Sequence, residues 1–365
     1  MSWFGRSFQA CRRCAIVNCL QAVIPVHDTP FVTTSSVIPD KDGAEQLILI
    51  FKATYDISEA GVLTPADEQD PIVTCDELRG DPITTSILRD GELMPPKPQG
   101  TDVFLIGHAM PPQPGTTQMM VGLSLGAINK RAVVFGPRNW RSGVLGGAHH
   151  SDPEPFDQVE LCYENAFGGE DRSLEDEKLW EDERRNPIGI GFRTKESKAE
   201  WKDAPLPQIE DPNAPIGDPD DRPTPTAFGP IGRHWEPRIQ YAGTYDQTWV
   251  EEVAPLLAED FDERFHHAAP HDQILEGHVQ GGEVVEIRGC TANGTLTFTL
   301  PTLRPHAHVR VFLEQLSVHP MRCDSVTIDS DRMRVSLVYK VAMLMADRLL
   351  NLRELTIKLG EEEAA

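Results

Sequence analysis

No run in this 365-residue chain approaches the ~18 consecutive apolar residues that a membrane-spanning helix needs, so no such helix is expected. Positive charge is also scarce. Against 57 Asp and Glu stand 34 Lys and Arg, a net charge of −23 whose field repels phosphate backbones and anionic lipid surfaces. Neither nucleic acid nor a membrane is expected as a partner. The sequence lacks a G-x-G-x-x-G following a strand, a G-x-x-x-x-G-K-[ST] loop and an H-E-x-x-H pair, so no nucleotide, other cofactor or metal is expected. Cysteines number seven, an odd count whose spacing gives no disulfide framework, which fits a reducing compartment and a cytoplasmic protein. Cys11 and Cys14 form a C-x-x-C with Cys19 nearby, but no second ligand pair follows at a zinc-site spacing. The apolar piece CAIVNCLQAVIPV contains Asn18 and Gln21 and leads to no clear cleavage site, so it is not read as a signal peptide.

What the chain does have is short strands. In EQLILIFKATYDI (45–57), Leu47, Leu49, Phe51, Ala53, Tyr55 and Ile57 alternate, while the opposite face begins apolar at Ile48 and Ile50 and turns polar at Lys52 and Thr54. This is a strand buried on both faces at one end. DVFLIGHAM (102–110), TQMMVGLSLGAI (117–128) and RAVVFG (131–136) follow, separated by turns. From about residue 276 the texture returns in GEVVEIRGCTANGTLTFTLP (282–301), HVRVFLEQ, DSVTID and RMRVSLVYKVAML, and Asn293-Gly294 predicts a hairpin with a type I′ turn. The expected fold is mainly β: two antiparallel, sandwich-like lobes joined by an ordered, proline-rich and loop-rich middle with short helices. The expected segments are an atypical extension (1–30), an N-terminal β-rich lobe (31–165), a central Pro/aromatic-rich segment (166–275) and a C-terminal β-rich lobe (276–365).

Prolines recur every few residues from 203 to 239, which rules out a central strand or helix interior there. Flexible linkers carry few large apolar groups, yet Leu206, Ile209, Ile216, Phe228, Ile231 and Trp235 are interspersed. An extended strap anchored by these side chains is expected. Just after it, YAGTYDQTW gathers Tyr241, Tyr245, Asp246 and Trp249. Either Thr248, with Glu251 in a capping box, or Asp246, with Tyr245 and Val250 as a staple, caps a short helix here. Phe261 and Phe265 share a face further on.

Two patterns invite a hydrolase reading. GLSLG (122–126) matches the G-x-S-x-G nucleophile elbow, but Met119, Val121, Leu123 and Leu125 alternate through it and a second strand follows, so Ser124 reads as a small strand residue. His234, His266, His267, His271 and His278 lie near Asp246, Glu251, Asp260 and Asp262, so the His234/His271/Asp246 region is the candidate metal or acid/base site. Pro270 interrupts the His267/His271 spacing, and solvated or core histidines are the expectation there.

The motifs LILIFKATYDI, KPQGTDVFLIGHA, YENAFGG, NPIGIGF, LPQIEDP, FGPIGRHWEPRIQYAGTYDQTWVEEVAPLLAEDFDERFHHAAPHDQ and GGEVVEIRG, in this order, resemble domain-of-unknown-function family 2169 (DUF2169). The resemblance runs from about Glu45 to Leu300 and more loosely through CDSVTIDSDRMRVSLVYK; residues 1–26 lie outside it, and FGPRNW departs from the family's Gly-acidic-Arg-x-aromatic turn. It implies an adaptor or chaperone of the type VI secretion system that binds a PAAR-like tip protein or effector and assists its loading onto the VgrG spike. It implies no catalytic residues. The signature positions Asn186, Pro187, Gly189, Gly191, Gln208, Trp235, Arg238, Tyr241, Tyr245, Asp246 and Trp249 are expected to bind a partner or to hold the fold.

Overall fold

The alternation in EQLILIFKATYDI produces a 13-residue strand, Glu45–Ile57, from which the architecture is built. The structure, a computed structural model, describes residues 25–360 apart from 82–83, 144–146 and 313. Cys11, Cys14, Cys19 and the apolar piece up to Ile24 lie outside the described residues. The principal strands are β1 (Val32–Pro39), β2 (Glu45–Ile57), β3 (Gly100–Ile106), β4 (Gln118–Leu125), β5 (Ile128–Phe135), β6 (Ile209–Glu210) and β7 (Ile274–Glu276). They continue with β8 (Val284–Arg288), β9 (Thr295–Thr299), β10 (Pro305–Val311), β11 (Ser317–Pro320), β12 (Arg322–Asp329), β13 (Arg334–Leu344) and β14 (Leu352–Leu359).

The first large sheet has the order β1-β2-β13-β12-β3-β7, with the short strand Leu63–Pro65 beside β2. The second has the order β6-β5-β4-β8-β9, and a three-stranded sheet runs β11-β10-β14. Pairing within these sheets is antiparallel except between β3 and β12, whose parallel register joins Asp102 to Ser325 and Ile106 to Asp329. Parallel neighbours need a long crossover, and more than half the chain separates these two. Both large sheets take strands from the 31–165 and the 276–365 segments, so these segments interleave in space. β2 lies along β13 from Gln46↔Leu344 to Asp56↔Arg334, and β4 pairs with β8 from Gly122↔Arg288 to Leu125↔Val285. A strand as apolar as β2 needs cover on both faces and partners at both edges, which no neighbouring hairpin supplies alone.

One core joins the sheets, running from Phe51 and Leu105 through Leu123 and Ile287 to Val309 and Leu337. Ile48, Ile50 and Val338 form a smaller cluster on the opposite face of the first sheet. The polar end of that face is not solvated: Lys52 and Thr54 are buried, with Lys52 Nζ bonded to Glu92 at 2.7 Å and Thr54 Oγ1 to Ser336 Oγ at 3.1 Å. Gln69, Pro71, Ile72, Glu92 and Leu93 cover it.

The Asn293-Gly294 hairpin forms between β8 and β9, but its turn is wider than type I′. Of the Asn293-Gly294 pair only Gly294 takes positive φ (80°), with Gly289 (73°) at the other end of the loop, and the Gly294 amide bonds to Thr291 O at 2.9 Å. The strands end at Arg288↔Thr295, so Gly289–Gly294 is the loop and Asn293 is spared the left-handed conformation.

The proline-rich run is ordered. Leu206, Ile209, Ile216, Phe228, Ile231 and Trp235 are all buried, as an anchored strap requires. Ile209 and Glu210 pair with Val134 and Val133 as the edge strand of the second sheet, where the prolines at 205, 207 and 212 deny the ladder no essential donor.

Candidate functional site

The signature residues first build a lock. YENAFGG and NPIGIGF meet where Phe167 and Gly168 pair in parallel with Ile190 and Gly191. Asn186 is fully buried, and its Nδ2 donates to Tyr163 O (2.8 Å) and Phe167 O (2.9 Å). Its carbonyl accepts from Gly169 N at 2.8 Å. A Cβ on Gly189 would sit 2.4 Å from Asn186 Nδ2 and 2.5 Å from Ala166 O, so glycine is the residue that lets the two segments close. Pro187 fixes φ directly after Asn186, and Gly191 takes φ of 99°. Asn186→Ala removes a donor from two buried carbonyls, of which Tyr163 O keeps the Ala166 amide at 3.1 Å; we expect a loss of about 1–3 kcal/mol in urea-induced unfolding, and an unchanged midpoint would show that the lock carries no stability.

The strap extends this framework. Gln208 exchanges backbone bonds with Phe135 and Asn165, and its Nε2 donates to Phe135 O at 3.2 Å. Trp235 packs edge-on against Tyr163 with centroids 5.3 Å apart, and its Nε1 donates to His234 Nε2 at 3.0 Å. Arg238 is 3% exposed; Nη1 donates to Ile231 O (2.8 Å), while Nε and Nη2 reach Phe265 O at 3.3 and 3.2 Å.

Arg238 also opens onto a buried ion network. Its Nη1 lies 3.6 Å from Asp90, which lies 3.7 Å from Lys97 Nζ. Lys97 reaches Asp324 (3.0 Å) and Asp102 (3.7 Å), and Asp324 also holds Lys340 at 2.9 Å. Asp102 accepts from the amides of Ala268 (2.7 Å) and Ala269 (3.1 Å) and contacts His267 Nδ1 at 2.6 Å. Burial pushes the Asp324 carboxyl up, but Lys340, Lys97 and the Lys97 amide outweigh it and hold it well below the usual carboxylate range. Burial likewise disfavours the Lys97 ammonium, and Asp324, Asp102 and Asp90 reverse this and raise it. These acids and lysines escaped the sequence reading. Their signal was a single charge interrupting an apolar strand, as in YKVA around Lys340 and TDVFL around Asp102.

Above this network lies a groove of about 1240 Å³. Pro95, Pro98, Leu256, Leu257 and Phe261 line it, with Leu344 at the end of β13. The YAGTYDQTW segment joins it through Trp249, which is bonded to the lining residue Leu256. Asp246 Oδ1 accepts from Trp249 N at 2.9 Å, whereas Thr248 makes no side-chain cap, so of the two capping schemes the Asp246 one forms, on a π-helical turn Trp249–Val253. The staple partner differs from expectation. Tyr245 packs on Trp249, centroids 4.9 Å apart at 73°, and Val250 stays 56% exposed, because an aromatic pair buries more surface than a Tyr–Val contact. Trp249 is anchored by Nε1 donating to Leu256 O at 2.9 Å, and the Arg264 guanidinium lies 4.4 Å over the Tyr241 ring. Tyr245, Val250 and Ile239 remain as exposed apolar groups in this part of the chain.

The hydrolase candidates have other surroundings. Ser124 sits within β4 opposite Asn129 and Glu286, and the chain turns at Gly126 into β5, not into a helix. His234 is exposed and accepts from Trp235, His271 is exposed at the start of a 3-10 turn, and Asp246 caps Trp249. None of these three side chains bonds another, and among the described residues no three His, Cys, Asp or Glu side chains are arranged to hold a metal ion.

Residues 42–340 match the model of a protein family described as "Uncharacterized protein conserved in bacteria (DUF2169)". No curated protein and no solved structure matches the chain.

Proposed function

The chain belongs to the DUF2169 family, and from that membership we propose that it is a cytoplasmic adaptor of bacterial type VI secretion. It binds a PAAR-like tip protein or a PAAR-like effector, keeps the partner's apolar surface from aggregating, and assists its loading onto the VgrG spike. It acts by shape-complementary binding, not by covalent chemistry.

The observation that carries the binding reading is an exposed apolar patch around Trp249. Tyr245 and Val250 stay 49% and 56% exposed beside this tryptophan, whose indole is bonded to the groove-lining Leu256, and clustered exposed aromatic and apolar groups mark protein contacts. The net charge of −23 keeps such a complex soluble and favours partners with basic patches.

Co-expression with PAAR-like, effector and VgrG proteins encoded nearby, followed by co-purification, tests the proposal. Tyr245→Ala combined with Val250→Asp should leave the melting temperature unchanged and weaken partner retention by roughly a hundredfold, the scale of an interface anchor. Trp249→Ala should lower both, because its indole ties this segment to Leu256. Retention of every partner by the double variant would move the interface elsewhere. A Ser124→Ala variant that loses function while holding its partners would sink the adaptor reading in favour of hydrolysis.

A further inference from the structure

The GLSLG stretch, which is no nucleophile elbow, has a feature the fold does not require. Gly122 lies mid-strand in β4 without positive φ, and a Cβ there would meet nothing nearer than Lys130 O at 3.5 Å, an ordinary contact. Glycine weakens a strand interior, and where neither turn nor crowding demands it, it often marks a place that another group approaches closely. The register shows what surrounds the gap. Gly122 pairs with Arg131 on one side and Arg288 on the other, and the next row on the same outward face is Asn129, Ser124 and Glu286. Those six residues line a surface depression of about 320 Å³. Two strand spacings, roughly 10 Å, separate the backbones that carry the two guanidiniums. Arg288 donates through Nε to Glu286 at 2.6 Å and keeps its terminal nitrogens, while Arg131 has no ion-pair partner among the described residues.

We infer that this depression on the outer face of the second sheet binds an extended acidic segment of a partner protein, seating a carboxylate between Arg131 and Arg288 in the row of Gly122. Charge complementarity selects the occupant. In a chain of net charge −23, this row sets two guanidiniums against the single carboxylate of Glu286. Planar guanidinium forks match carboxylates in bidentate geometry, and Ser124 and Asn129 offer neutral donors beside them. The site lies on the second sheet and does not depend on the adaptor reading or on the groove.

The test is a fluorescence-anisotropy titration of the full chain with a capped, fluorescein-labelled peptide of alternating Glu and Ser, at about 0.15 M salt so that the global negative field is screened. Wild type should bind saturably. Arg131→Gln and Gly122→Val should each weaken binding about tenfold or more, and Glu286→Gln, by releasing Arg288, should tighten it. Gly122→Val should melt no lower than wild type, because the site has room for a Cβ and strands favour β-branched residues. Absence of peptide binding, wild-type affinity in Gly122→Val or Arg131→Gln, or an equal loss in the remote Arg310→Gln would each overturn the inference. Displacement of the peptide by equimolar inorganic phosphate would reassign the depression to small anions and would equally overturn the partner claim.

Discussion

Asp324→Ala should lower the free energy of unfolding by about 3–5 kcal/mol, toward the upper end of that range, since removing one member of a buried ion group leaves uncompensated charge. Asp324 is 2% exposed and stands 2.9 Å from Lys340 Nζ and 3.0 Å from Lys97 Nζ, while Oδ1 accepts from the Lys97 amide at 2.7 Å. Deleting the carboxylate leaves two ammonium groups facing each other in the interior. Domains are commonly stable by only about 5–15 kcal/mol, so a large share of the margin is lost. The consequence reaches the candidate interface, because Asp324 and both lysines line the groove as well as the core. Urea unfolding followed by tryptophan fluorescence reads the effect. Asp324→Asn keeps the volume but not the charge, so it should lose nearly as much; wild-type stability in that variant would mean the charge is not what holds the network.

Stability should also fall as pH drops from about 6.5, the ordinary histidine value, toward 3. His266 is buried, and burial, then Lys97 and Lys340, with Arg238 adding to them, push its imidazole down to about 3 against a smaller opposing pull from Asp324. The folded value lies below the unfolded one, so within that window the unfolded chain binds a proton that the native chain excludes. The contribution of neutral His266 is therefore complete above about pH 6.5 and is progressively lost on acidification. At about 1.4 kcal/mol per pH unit the full window is worth on the order of 5 kcal/mol. Asp324 acts in the same direction at lower pH. Its carboxyl is held below the ordinary range, so its stabilisation is present above about pH 4 and lost as pH falls further. Between pH 6.5 and 4 burial also lowers His150 and His308, so the share of His266 is read by comparison with a variant. Urea midpoints across that interval should decline steadily in wild type and clearly less in His266→Gln; parallel declines would exclude His266 as the titrating group.

The strands were legible one by one. Period-two alternation located β2 from Glu45 to Ile57 at its observed ends, and β4, β5, β12 and β13 within a few residues. The six apolar residues among the prolines predicted a strap that packs, and all six are buried. Asp246 was legible as one of two possible caps, since its carboxylate needs only the amide three residues on. By contrast, the burial of Lys52, Lys97, Asp324 and Lys340 was not legible, because an isolated charge in a strand looks the same whether it meets solvent or a counter-ion far away in sequence.

The sequence by itself determined the local conformations, the apolar faces, the family signature and the acidic surface, because each of these depends on neighbouring residues or on composition. Tertiary structure decided how the chain's two ends interleave in shared sheets, since an antiparallel pairing such as β2 with β13 reflects which doubly apolar strands are left to cover one another. It also decided which members of one aromatic cluster became anchors and which stayed on the surface. Trp249 and Tyr245 lie four residues apart, yet the carbonyl of Leu256 lies within reach of the indole and holds it, while the phenol is left exposed on the surface.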